Sequence, residues 1–174
     1  MGVPPVGAGG RGGGGEPGWC PENPATWDDI DTPPGVEDGD IARPGGIIGG
    51  RRGGRWYQLS ESEKLGSGSF GDVYMAVPAG VDGVQVAIKV MPKAKTINTD
   101  VNRSHVKNEI TLQQLVHHPN VVRLYEPLYS NTHIYMVLEL CHTDLKKYLL
   151  SRPPLPEHEA QAIFKEFAAG LREL

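Results

Sequence analysis

Glycine and proline cut this 174-residue chain in two. Of its 23 glycines, 17 lie in the first 54 residues, together with 8 of its 15 prolines. A stretch so rich in Gly, Pro and Asp has too few apolar side chains to offset the entropy lost on ordering it. Residues 1–54 are therefore expected to form a disordered tail, leaving the rest of the chain to build a core. In the tail, Trp19, Trp27 and Ile30 beside Asp28, Asp29 and Asp31 read either as a short binding motif or as solvated chain. At its end, Arg51, Arg52 and Arg55 either steer localisation or keep a linker soluble.

Charge and cysteine usage exclude several classes. A formal net charge of -4 argues against a protein that wraps nucleic acid, which needs a basic face to neutralise phosphates. The two cysteines, Cys20 and Cys141, lie in different segments without metal-ligand spacing, which reads as free thiols in a reducing compartment. Met1 to Gly15 lacks the apolar run of a signal peptide, and no stretch approaches the roughly 20 apolar residues of a membrane span. Val6 stands where a myristoylation signal needs Ser or Thr. The expectation is a soluble cytoplasmic or nuclear protein with neither nucleic acid nor membrane as a partner.

From Tyr57 onward, short runs rich in Val, Ile and Tyr alternate with turn residues. They predict strands over Leu59–Leu65, Gly71–Val77, Val84–Val90, Val121–Glu126 and His133–Leu138, with turns at Pro78–Gly83 and Tyr129–Thr132. A helix is expected over Asn102–Val116. Three strands, a helix and two strands imply a five-stranded antiparallel sheet with one crossing helix, an α+β arrangement. Farther on, Ala160, Ile163, Phe164, Phe167, Ala168, Leu171 and Leu174 share one helical face. Pro156, Glu157 and Glu159 mark the start of that helix. With no capping glycine before Leu174 the helix is expected to be cut short, and its apolar face to need a protein partner.

Chemistry concentrates in Gly66-Ser67-Gly68-Ser69-Phe70-Gly71-Asp72-Val73, where three glycines between strands let backbone N–H groups approach phosphate oxygens. Alone, the loop is equally a plain glycine hairpin. A dinucleotide-binding loop would need a helix next, whereas Asp72 to Ala76 is strand-like. In the following strand, Val86-Ala87-Ile88-Lys89, a lysine stands among apolar residues, where a buried and unpaired ammonium is costly. Either Lys89 reaches water at a sheet edge, or it meets anions: Glu109 on the next helix and the phosphates of a nucleotide. His117 and His118 are adjacent, a poor spacing for joint metal ligation, and no metal site is expected.

These motifs resemble the eukaryotic-type protein kinase family, in its serine/threonine branch and similar to cyclin-dependent and autophagy-initiating kinases. The resemblance runs from about residue 57 to 174. It rests on Leu65 to Val73, Val86 to Lys89, Glu109, His118-Pro119-Asn120, Ile134 to Cys141 and Asp144-Leu145-Lys146, in family order. It implies a small lobe over 55–138, a hinge at 139–143 and the start of the large lobe at 144–174. Gly66, Ser67, Gly68, Ser69, Phe70 and Gly71 would cover the phosphates of ATP. Leu65, Val73 and Ala87 would sandwich the adenine, with Leu138 as gatekeeper and the backbone of Glu139 and Cys141 at the adenine edge. Lys89, fixed by Glu109, would hold the α- and β-phosphates as the catalytic pair. Asp144 would bond the ribose, cap a helix over Asp144 to Leu150, or do both.

Gln113 departs from the family, which has an apolar residue there. The His-Arg-Asp loop, its asparagine and Asp-Phe-Gly do not occur in these residues, so Mg²⁺ ligands are expected only in the remainder of a large lobe. The expectation is the ATP-binding portion of a Ser/Thr kinase, acting on a protein substrate in its parent protein but not transferring phosphate alone. The alternative is a non-catalytic nucleotide-binding or protein-interaction module.

Overall fold

The computed structural model of the chain describes residues 44–49, 55–130, 132–152 and 154–173. Cys20, the tryptophans and aspartates of residues 19–31, Arg51, Arg52 and Leu174 lie outside the described residues. Six strands form one antiparallel sheet: β1 (Ile47–Gly49), β2 (Trp56–Gly68), β3 (Gly71–Pro78), β4 (Val86–Pro92), β5 (Leu124–Tyr129) and β6 (His133–Glu139). Their spatial order is β1-β2-β3-β4-β6-β5. Helices α1 (Lys93–Thr96) and α2 (Asp100–Leu115) join β4 to β5, and α3 (Leu145–Leu150) and α4 (Glu157–Leu171) follow β6.

The central strand β4 explains the two-faced core. Successive strand residues point to opposite faces, and Val86, Ile88 and Val90 join a cluster with Ile48, Tyr57 and Leu59, while Met91 joins Val106 and Ile110 of α2. Burial on both faces is why β4 reads as a nearly continuous apolar run. Each fully buried aliphatic side chain of this kind contributes about 1.5–3 kcal/mol relative to exposure. Helix α2 starts as its sequence dictates, with the Thr99 hydroxyl accepting from Asn102 N at 3.2 Å and Asp100 in the first turn.

Three expectations needed adjustment. The sheet has one strand more than the five expected, because Ile47–Gly49, from the stretch read as tail, pairs with Trp56–Gln58 of β2. Ile48 is wholly buried there, and Gly46 O accepts from Leu59 N at 2.9 Å. Burial of Ile48 and pairing with β2 account for a strand within a Gly-rich segment. The fourth expected strand, Val121–Glu126, lies instead at Leu124–Tyr129. Pro127 lies within this strand, which is tolerated because β5 is an edge strand, where one missing N–H donor costs little. The helix expected to begin at Asn102 begins two residues earlier, and α1 was not foreseen. The first predicted turn lies between β3 and β4, with positive φ at Gly80 and Gly83; residue 131 of the second lies outside the described residues, and beside it Ser130 N donates to His133 O at 2.9 Å.

The sheet curls until β2 meets β5, with three strands between them. Tyr57 Oη on β2 donates to Glu126 Oε1 on β5 at 2.5 Å. Burial raises both the Tyr57 hydroxyl and the Glu126 carboxyl above their ordinary pKa values, Tyr57 further through the adjacent Glu126 charge. A carboxyl whose folded pKa is raised contributes stability that is fully present below its unfolded pKa and lost as pH rises through the folded one. We therefore expect Glu126→Gln, which still accepts from Tyr57, to gain stability relative to wild type as pH rises from about 4 to about 8. Urea midpoints across that range read the effect, and a gap between the two proteins that does not change with pH refutes it. A second expectation concerns Gly71, where an added Cβ would lie 1.9 Å from Val90 O in the neighbouring strand. Gly71→Ala is expected to cost about 1–3 kcal/mol, as overpacking does, measured by the same denaturation.

Candidate functional site

Lys89 sits on the α2-facing side of β4, in register with Val73 of β3 and Met136 of β6. Residues directly opposite in antiparallel strands share a face, so Val73 and Lys89 lie together. One pleat away, Ala87 stands opposite both Met75 and Leu138. The sheet thus gathers Val73, Ala87, Lys89 and Leu138 on one surface. Glu109 reaches that surface because its neighbour Ile110 is buried and fixes the rotation of α2.

Lys89 Nζ lies 2.8 Å from Glu109 Oε1, with side chains 20% and 39% exposed. The edge-strand alternative for Lys89 is removed, since β4 is flanked by β3 and β6. An ion pair this open to water contributes about 0–1 kcal/mol to stability. Its consequence is positional: the ammonium is held at one spot on the α2-facing surface of the sheet, beside Val73.

That hairpin pairs Gly66 with Val73, Ser67 with Asp72 and Gly68 with Gly71, leaving Ser69 and Phe70 as its turn. Its base is held by Lys64 Nζ and Asp72 Oδ2 at 3.0 Å, a bond that keeps the Asp72 carboxyl below the usual carboxylate range. The tip is held from α1, where the buried Thr96 hydroxyl donates to Phe70 O at 3.2 Å. The Phe70 ring packs against the α2-side cluster. The loop therefore folds over the Lys89 surface.

The three glycines are not equivalent. Gly71 is required by packing against Val90. At Gly66 an added Cβ would meet nothing within 4 Å, and at Gly68 only Gly71 O at 3.8 Å. Neither has a positive φ. Backbone conformation and internal packing thus leave both positions free for any residue, and the absent side chains keep a cradle open beside backbone N–H groups. Such a cradle, facing a fixed ammonium, suits a group carrying several anionic oxygens.

Beyond the sheet, Leu138 is half-buried against the α2-side cluster. Glu139 N donates to Arg123 O at 2.9 Å, and its carboxylate accepts from Arg123 N at 3.2 Å, which anchors the start of the connection to α3. Cys141 is exposed; desolvation, then the Glu139 charge, pushes its thiol upward, so it stays protonated at neutral pH. Asp144 Oδ1 accepts from Lys147 N at 2.8 Å as the cap of α3, a bond that holds its carboxyl low. The capping role is thus present in the fold.

His118 Nδ1 accepts from Asn120 N at 3.1 Å, shaping a turn. Asn120 Nδ2 donates to Glu166 O at 2.9 Å, and Gly170 admits the close approach, since a Cβ there would stand 2.8 Å from Asn120 O. Gln113 bonds Val122 O at 3.1 Å and ties the end of α2 to the chain entering β5. Among the described residues, no group of three or more His, Cys, Asp or Glu is placed to hold a metal ion, and no helix is long and apolar enough to cross a membrane.

Two residues bearing on the loop were missed from the sequence. Thr96 gave no local signal, as it lies in a four-residue helix. Lys147, inside a run read only for Asp144, extends Nζ to Leu65 O at 3.2 Å.

Residues 59–174 match the family described as the protein kinase domain. The chain is 33% identical over 115 residues to a carbon catabolite-derepressing protein kinase of Candida tropicalis, covering 66% of this chain and 18% of that protein. It is 34% identical over 117 residues to the CBL-interacting serine/threonine-protein kinase 7 of Arabidopsis thaliana, covering 67% and 27%. It is 37% identical over 108 residues to the serine/threonine protein kinase OSK3 of Oryza sativa, covering 62% and 21%. It thus spans about a fifth to a quarter of the length of these relatives. A curled antiparallel sheet with a glycine hairpin, a lysine aimed by a helix glutamate, and this match over two thirds of its length together make the chain a member of the protein kinase domain family.

Proposed function

We propose that residues 55–174 are the ATP-binding part of a serine/threonine protein kinase domain, with the small lobe at 55–138, the hinge at 139–143 and the large lobe beginning at 144. The observation that carries this reading is the Lys89 ammonium, fixed by Glu109, in one cross-strand row with Val73 and the open position at Gly66. When bound, ATP supplies the phosphoryl group. The chain's own residues bind and orient it. Backbone N–H groups of residues 66–71 cover the phosphates, Lys89 neutralises the α- and β-phosphates, and Glu109 keeps Lys89 from swinging away. Leu65, Val73 and Ala87 enclose the adenine, Leu138 limits its depth, and the Glu139 and Cys141 backbone meets its polar edge. Asp144 caps α3 through one carboxylate oxygen, and the other, 3.4 Å from Lys147 Nζ, also accepts from the ribose.

Phosphate transfer to a protein substrate needs a carboxylate for the acceptor hydroxyl and metal ligands for the developing charge. These 174 residues carry no His-Arg-Asp or Asp-Phe-Gly motif. We therefore assign nucleotide binding to these residues, and transfer to a kinase domain that also carries those groups. A specific observation also favours a protein contact: Phe164, Phe167 and Leu171 of α4 are 68%, 60% and 56% exposed along one face. That face is proposed to be covered by protein.

Nucleotide-dependent thermal stabilisation of the 174-residue chain tests the binding site. ATP is expected to raise the melting temperature, and Lys89→Met to weaken binding about ten- to a hundredfold, the worth of a hydrogen bond to a charged group. A folded sample that shows no shift with ATP refutes the site. Gly66→Ala separates fold from function: it is expected to melt like wild type without nucleotide, because the added methyl meets open space, yet to bind ATP several-fold more weakly. Unchanged affinity in that variant counts against the cradle.

A further inference from the structure

We propose that Lys147 is a positioning residue of the nucleotide cleft, its ammonium clasping a bulged carbonyl at Leu65 and thereby fixing the strand that roofs the adenine position. The clasp stands on geometry alone; its role in binding rests on the ATP reading above.

Between β2 and β3 the register passes from Lys64 opposite Tyr74 to Gly66 opposite Val73. Two steps on one strand answer one on the other, so Leu65 is the extra residue of a β-bulge. Such a residue is left unpaired and the ladder is locally disrupted. At this break in the ladder the Leu65 carbonyl accepts from outside the sheet, from Lys147 Nζ at 3.2 Å, 82 positions along the chain.

Lys147 is itself steered. Its Nζ is 3.4 Å from Asp144 Oδ2, and Asp144 Oδ1 accepts from Lys147 N. The carboxylate that caps α3 also guides the ammonium toward the bulge. An ammonium offers three donors, so one group serves carbonyl and carboxylate together. Helix α3 has no buried side chain, so packing does little to fix its distance from the glycine strand. With both partners largely exposed, the ion pair itself adds little stability. What the contact alters is the freedom of the strand leading into Gly66.

The test compares wild type, Lys147→Met and Lys147→Arg in the 174-residue chain. Methionine keeps the apolar stem and the backbone N–H that Asp144 uses; arginine keeps the charge and reach. Hydrogen exchange without nucleotide is expected to quicken about three- to tenfold at residues 66–72 in Lys147→Met, the loss of a single net hydrogen bond. Residues 86–92 should stay at the wild-type rate, and Lys147→Arg should restore the loop. ATP dissociation should quicken by a similar factor in Lys147→Met, with association little changed. Loop exchange unchanged in Lys147→Met overturns the clasp whatever ATP does, and faster exchange across the whole sheet overturns it as a local device. If the loop loosens as expected but ATP dissociates at the wild-type rate, the positioning role is overturned. If wild type binds no ATP, the ATP reading fails with it, and the exchange data report the clasp separately.

Discussion

A lysine between Ile88 and Val90 of the central strand is the constraint on which the site depends. The pleat sends its neighbours into one core cluster and leaves Lys89 on the opposite face, among Met91, Met136 and Leu138. An ammonium placed there must find an anion or leave the sheet. Glu109 meets that need, but only because Ile110 and Val106 lock α2 against the same face. The ion pair is therefore a product of core packing more than a source of it. Its small free-energy worth and its fixed direction fit a group kept for what it faces.

The second constraint is closure of the sheet. Strands β2 and β5 are drawn together by Tyr57 and Glu126, a bond made where burial disfavours the charged carboxylate. Strand β1 adds Ile48 to the same cluster and lengthens the edge beside β2. Curvature then directs the glycine hairpin, which grows from β2 and β3, over the Lys89 surface rather than away from it. Fold and site are linked through the register of these two strands.

Much of this was legible in the sequence because the signals were local. Runs of Val, Ile and Tyr exposed β3, β4 and β6; Asp144 announced its helix; and Lys89 in an apolar run asked for an anion. The legibility ended where tertiary context overrides local preference. Pro127 reads as a strand breaker, and only its place on an edge strand makes it acceptable. Ile47 and Ile48 are diluted by surrounding glycines, and only the exposed edge of β2 gives them a partner. The bulge at Leu65 leaves no mark in composition, so the need for a distant donor could not be read.

The glycine loop shows how rigidity and openness coexist in one hairpin. Packing makes Gly71 indispensable, since Val90 O occupies the place of its side chain, whereas Gly66 and Gly68 face empty space. Around them the chain is held at separate points: Lys64 to Asp72 at the base, Thr96 to Phe70 at the tip, and Lys147 to the bulge at the entry. These contacts come from three different elements, β2 itself, α1 and α3, and each meets backbone or charge outside the two open glycines. A loop clamped at its margins and left bare at its centre presents N–H groups that need little rearrangement to meet an anion. That is the condition under which modest hydrogen bonds become effective in binding, because the entropy of ordering the loop has already been lost on folding.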